Sequence, residues 1–270
     1  MDFADWLALR EPADAAARAG DLADLLHHRL RGRARLVIHD LGSGTGSMAR
    51  WLAPRLPGPQ HWVLYDRDPE LLARAAAGLP HTAGDGSPVS GETRQADITA
   101  LGDLGPAGAG ADLVTASAVL DMLTAAEVDR VVATCAPYPS LLALSVVGRV
   151  ALTPPTPRDA EVAAAFNAHQ RRTAGGRTLL GPDAAAAAVA AFGRRSIPVA
   201  ARDTPWHLGP DRPELLAAWL RGWLAAAAEQ RPDLALDGYA RTRLAQAASG
   251  LLRAVVHHRD ILANPENRGR

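Results

Sequence analysis

An α/β fold, with a mostly parallel sheet and helices on both faces, is what this 270-residue sequence predicts. Three observations carry that prediction. From Leu36 onward, short β-prone runs alternate with helical patterns, the rhythm of βαβ units whose sheet is covered on both sides. The first run ends in Asp40-Leu41-Gly42-Ser43-Gly44-Thr45-Gly46, a glycine-rich turn entering a helix, where doubly wound folds bind ligands. The composition, 48% hydrophobic and 21% charged, is ordinary for a globular chain and excludes wholesale disorder.

Taken in order, the first 30 residues read as helical. Trp6, Leu7 and Leu9 form one apolar cluster, and Leu22, Leu25, Leu26 and Leu30 recur at helical spacing. Pro12 is expected to open a second helix, because proline fits a first turn. Leu36 to Leu41 is the first strand, followed by a helix from Ser47 to Leu56. His61 to Asp66 is the second strand and Pro69 to Ala77 its helix. Glu92 to Asp97 makes a third strand, Asp112 to Ser117 a fourth, and Thr124 to Thr134 the helix after it. Leu141 to Val147 is a strongly apolar fifth strand, after which Pro154-Pro155-Thr156-Pro157 breaks the rhythm. Helices follow at Arg158 to Arg172 and Pro182 to Phe192, then a sixth strand at Ile197 to Ala201. Helices at Glu214 to Glu229 and Leu234 to Ala248 precede a last strand at Leu251 to His257.

Charge narrows the function. Lys+Arg 29 equals Asp+Glu 29, whereas a nucleic-acid binder needs a net basic surface to neutralise phosphates. There is no lysine, so every cationic side chain apart from histidine is an arginine; with the alanine run Ala184 to Ala188 this points to a GC-rich bacterial genome. The single Cys135 excludes an internal disulfide framework and a cysteine-cluster metal site, and no metal is expected. MDFADWLALREP lacks the basic and apolar regions of a signal peptide, and no run approaches a membrane span. A soluble cytoplasmic protein, monomer or homodimer, is the expectation.

The glycine turn has the spacing GxGxG with an acid two residues before it. A dinucleotide fingerprint would need Gly or Ala where Ser47 stands, and a P-loop would need a lysine. In (D/E)xGxGxG form, the turn resembles the first motif of class I S-adenosylmethionine (SAM)-dependent methyltransferases. The later acids fall in the same order. The resemblance implies a Rossmann-like seven-stranded sheet, order 3-2-1-4-5-7-6 with the last strand antiparallel, and SAM as cofactor with S-adenosylhomocysteine as product. It places Asp40, Gly42, Ser43, Gly44 and Gly46 at the cofactor, and Asp66 with its neighbour Arg67 at the ribose. A carboxylate can accept a hydrogen bond from each of two adjacent hydroxyls. Asp97 and Ile98 fall beside adenine and Ser117 beside the methionine moiety. In the same topology His257 and His258 lie at the wrong end of the last strand and are structural or solvent-facing. His27 and His28, and the run Arg29, Arg31, Arg33 and Arg35, also read as solvated or structural.

Residues 1–35 are then a helical N-terminal lid, and 36–263 one SAM-binding domain with a helical insertion about 154–193. Residues 264–270 are a flexible tail. The expected activity is methyl transfer to a small molecule, with no nucleic acid or membrane as partner. Asp121, just after the fourth strand, is a candidate base or else a helix cap. His169 shares a helix face with Val162 and Phe166 and is a candidate base or a core histidine. Arg149 suits an anionic acceptor or is a surface residue, and Trp206 walls the acceptor pocket or packs in the core. Arg10 or Arg18 meets the methionine carboxylate, or Arg18 simply pairs with Asp14. Two rivals share the cofactor: an enzyme that cyclises or decarboxylates with SAM bound, and a SAM-binding protein without turnover.

Overall fold

The computed structural model describes residues 1–105 and 110–264. Helices α1 (Phe3–Ala17) and α2 (Gly20–Leu30) precede β1 (Leu36–Leu41). Then come α3 (Ser47–Leu52), β2 (Gln60–Asp66), α4 (Pro69–Ala77), β3 (Val89–Gln95), β4 (Leu113–Ser117), α5 (Ala125–Cys135) and β5 (Ser140–Thr153). Beyond them lie α6 (Asp159–Gln170), the small hairpin β6 (Thr173–Ala174) and β7 (Arg177–Thr178), and α7 (Ala184–Arg194). β8 (Val199–Asp203), β9 (Trp206–Leu208), α8 (Pro213–Gln230), α9 (Asp237–Ala248) and β10 (Arg253–Ala263) complete the described chain.

The main sheet runs β3-β2-β1-β4-β5-β10-β8, with β9 also paired to β10. The pairs β1–β2, β1–β4, β2–β3 and β4–β5 are parallel, and β10 is antiparallel to each neighbour. This is the predicted order with one strand added. The extra strand, β9, has three residues, too few for a periodic signal. Alternation along the central strands feeds both faces. Trp62 and Leu64 enter one core with Leu22, Leu26 and Leu30 of α2, while Val63 and Tyr65 enter the other with Val128, Val131 and Val132 of α5. A third core joins Val162 of α6 and Trp219, Leu220 and Trp223 of α8 to Trp206 and Ala254.

Three expectations change. Pro12 does not open a helix but lies inside α1. Interior proline costs about 3 kcal/mol, and tertiary contacts offset it here: Glu11 makes a two-point ion pair with Arg50 (2.6 and 2.6 Å), and Asp14 accepts from Trp206 Nε1 (3.0 Å). The third strand stops at Gln95, so Asp97 stands in the loop beyond it. The fifth strand continues to Thr153, which puts Arg149 within a strand rather than at its end. The expected tail lies outside the described residues except for Asn264.

Asp260, fully buried in β10, ties the N-terminal helices to the sheet. It accepts from the Ala19 amide (2.9 Å), the Leu144 amide (2.7 Å) and Thr204 Oγ1 (3.0 Å). One side chain thereby fixes the α1–α2 junction against β5 and β10.

Candidate active site

At the end of β1 the chain turns through Gly42, Gly44 and Gly46, all with positive φ (68°, 54° and 86°). A Cβ at Gly42 would stand 2.8 Å from Val119 Cγ1, and one at Gly46 would press on the backbone of α4 at Ala75. Only glycine combines this backbone with this closeness. The turn is pinned from β2: the Ser43 amide donates to the Tyr65 carbonyl (2.8 Å) and the Gly44 amide to Asp66 Oδ2 (2.8 Å).

Over this turn lies a cavity of about 400 Å³. Asp40, Gly42, Ser43, Gly44, Asp66, Arg67, Ile98 and Ser117 all line it. α1 supplies the opposite wall with Phe3, Trp6, Leu7, Arg10 and Asp14, positions that recur at helical spacing on one face. After β4, Ala118, Val119, Asp121, Met122 and Leu123 close the side. Ala118 holds a φ of 54°, a strained backbone for a residue with a Cβ, directly at the wall.

Electrostatics single out two carboxyls. Asp40 is fully buried; its Oδ1 accepts from Thr115 Oγ1 (2.6 Å), while its Oδ2 has no partner among the described residues. Burial raises its pKa to about 6, against the pull of the Thr115 hydrogen bond and the Arg18 charge. Ser43 Oγ is likewise buried without a partner. Asp121 meets no donor from another residue's side chain or backbone among the described residues, and burial raises its pKa while the charge of Arg10 opposes. It does not cap α5. Thr124 does, in a capping box with Glu127.

The remaining predicted residues sort by distance from the cavity. Arg18 is buried just behind the wall, with Nη2 donating to Ser47 Oγ (3.0 Å) and Ser117 Oγ (3.1 Å), both cavity-lining residues. It makes no ion pair with Asp14, whose carboxylate is taken by Arg10 Nε (2.9 Å) and Trp206. Gly46 shapes the turn without lining the cavity. Asp97 is not a lining residue either. Its partial burial works upward on its pKa, but hydrogen bonds from Arg67 and Thr99 outweigh this and hold it at about 2.

Three expected site residues lie off the cavity. His169 sits at the end of α6, with Nε2 3.3 Å from Glu229 of α8, so the face shared with Val162 turns it towards a helix rather than the site. Arg149 is exposed beside His257, at 3.0 Å. Trp206 packs in the third core behind Arg10, whose guanidinium lies 4.9 Å from its ring centre. Of the histidines expected to be structural, His258 is buried against Trp206, and burial depresses its pKa to about 3. Arg177, missed in the sequence, lines the cavity from β7 and pairs with Glu127 (2.7 Å). The signal was present: Gly175-Gly176 between short flanks is a hairpin turn.

Residues 38–138 match the family model described as a methyltransferase domain. That segment spans the glycine turn, Asp66, Asp97 and Ser117. Over that stretch, under half of its length, the chain is similar to methyltransferase domains. No curated protein matches the chain. Among solved structures, the YcgJ protein from Bacillus subtilis is similar at 14% identity and a TM-score of 0.49, covering 92% of this chain and 100% of its own. A SAM-dependent methyltransferase from Geobacter sulfurreducens, solved with S-adenosyl-L-homocysteine, is similar at 16% identity and 0.41, covering 96% and 98%. The cyclopropane synthase MmaA2 from Mycobacterium tuberculosis is similar at 14% and 0.43, covering 90% and 82%. These are similarities of outline.

Proposed function

We propose that the chain is an enzyme that moves the methyl group of SAM to a small-molecule acceptor and releases S-adenosylhomocysteine. The observation that carries this reading is the pair of orphaned buried oxygens, Asp40 Oδ2 and Ser43 Oγ, on a glycine turn facing a cavity of fitting size. A buried polar atom without a partner is costly, and a cationic, donor-rich ligand would supply what both lack. When bound, SAM supplies a methyl group on a sulfonium, already activated for displacement.

Each residue then has a task. Asp66, held in place by the Gly44 and Asp68 amides (2.8 and 3.1 Å), presents its carboxylate to the ribose hydroxyls. Ile98 packs on the adenine, with Arg67 and Asp97 paired at that end. Arg18 orients Ser47 and Ser117 and lends positive charge to the methionine carboxylate. Asp121 takes the proton that an oxygen or nitrogen acceptor must lose. Trp6, Leu7 and Val119 exclude water from the reacting end.

Residues 1–35 serve as the lid over 36–263, and the insertion 154–193 borders the acceptor side. The enzyme acts in the bacterial cytoplasm, as monomer or homodimer, without nucleic acid. Calorimetry with S-adenosylhomocysteine and with NAD tests the core of this reading. The homocysteine compound binds and NAD does not, and Asp66→Ala weakens binding at least about tenfold, given the worth of charged hydrogen bonds. Absence of binding by both SAM and its product overturns the reading. Acceptor-dependent release of S-adenosylhomocysteine separates methyl transfer from the two SAM-binding rivals.

A further inference from the structure

A second cavity, about 530 Å³, opens between α1, α6 and α8. Its walls are Trp6, Phe166, Trp219 and Trp223, in a chain with only 4% aromatic residues, so the aromatics are concentrated where the space is. Trp219 and Trp223 stack with ring centres 5.6 Å apart and planes 19° apart, which stiffens this wall of the cleft. The space itself comes from two small residues of α8, Ala218 and Gly222, one turn apart. A Cβ at Gly222 would meet nothing within 4 Å. Glycine weakens a helix interior, so its place here in an 18-residue helix is not explained by the helix.

Trp6 belongs to both cavities. It stands as the partition between the aromatic cleft and the chamber that holds Asp121 and Ser117. The approaches are apolar as well. Met1 (77% exposed) borders the cleft, while Phe3 (60%) and Met122 (61%) border the chamber.

We propose that this cleft binds the body of the methyl acceptor, and that the body is a planar aromatic ring system. Its rings lie against Trp6, Phe166 and Trp219, where aromatic contact exceeds what area alone gives. Its nucleophilic atom turns past Trp6 towards Asp121. The proposal rests on the methyltransferase reading for the acceptor role and on the cleft alone for the ring chemistry.

The test titrates 2-naphthol, and decan-1-ol as an aliphatic comparison, into the full chain saturated with S-adenosylhomocysteine. The variant Gly222→Leu fills the cleft without meeting backbone, and Ala218→Leu is a second filling of the same wall. The expected result is naphthol binding tighter than decanol, weakened at least tenfold by either variant, with affinity for S-adenosylhomocysteine unchanged within twofold. That unchanged affinity also shows that the variants fold. Equal naphthol affinity in wild type and variants overturns the cleft as the site, and stronger decanol binding overturns the aromatic class. If S-adenosylhomocysteine itself does not bind, the methyltransferase reading and the acceptor role fall together.

Discussion

Asp40 is a chamber-lining residue whose protonation the fold controls through burial. Its unfolded carboxyl titrates near 3.8, and its folded one near 6 because burial disfavours the charge. Between those values the folded state keeps a proton that the unfolded state has lost. Unfolding therefore releases a proton, and stability falls as pH rises from about 4 to about 6. The full difference is on the order of 3 kcal/mol for the ligand-free protein. Asp40→Asn keeps an acceptor for Thr115 and removes the charge, so its stability relative to wild type should improve across that window. Urea unfolding of both proteins at pH 4 and pH 7 measures it, and a pH-independent difference between them would refute the assignment. The same variant should bind SAM more weakly. Asp121 calls for a different experiment, since it lines the chamber without holding the turn and takes no hydrogen bond from another described residue. Asp121→Asn should lower turnover about a hundredfold, the low end for a general base, with affinity for S-adenosylhomocysteine intact. Weakened binding with unaltered turnover would instead make it a binding residue.

At the scale of elements, α1 decides whether the chamber is closed. It is not held by burying a broad apolar stripe: Ala4, Ala13 and Asp14 are its buried residues, and Leu7 meets the glycine turn. Polar fastenings do the work, Glu11 to Arg50 on α3 and Asp14 to Trp206 on β9. The Glu11–Arg50 pair is about a quarter exposed, so its worth is about 1 kcal/mol. Glu11→Gln should accordingly speed dissociation of S-adenosylhomocysteine about fivefold in stopped-flow measurements, with the effect shrinking at high salt. A release rate identical to wild type would show that α1 does not gate the chamber. The helix itself was legible from Trp6, Leu7 and Leu9, but its continuation through Pro12 was not. Local propensity argues for a break there, and the contacts that override it come from residues 39 and 192 positions away. The same limit hid His169. Helical spacing correctly put it on the face of Val162, yet which partner that face meets is set by α8, far along the chain.

Across the whole molecule, most strands were readable from local periodicity and the turn from one motif, whereas the strand order was implied by the family that the motif resembles. The hairpin that carries Arg177 had a local signal in Gly175-Gly176, but its meeting with the chamber, like the aromatic cleft, was not readable, because both depend on how the insertion and α8 fold back on the sheet. The three cores share β5 and β10, and α2 contributes Leu22, Leu26 and Leu30 to the first of them, so the N-terminal helices cannot leave without exposing sheet. Each such leucine is worth about 2 kcal/mol when buried. The cofactor chamber draws on α1, β1, β2 and β4 together and has no counterpart in the unfolded chain. Its ligand therefore binds the folded state alone, and a hundredfold excess over Kd should add about 2.7 kcal/mol of stability. For a chain of this length that raises Tm by roughly 5–10 °C. A thermal scan should show one cooperative transition, moved upward by S-adenosylhomocysteine and unmoved by NAD. Two transitions, with only the later one responding, would mean that the N-terminal helices melt apart from the sheet and that the chamber does not need α1 to hold its ligand.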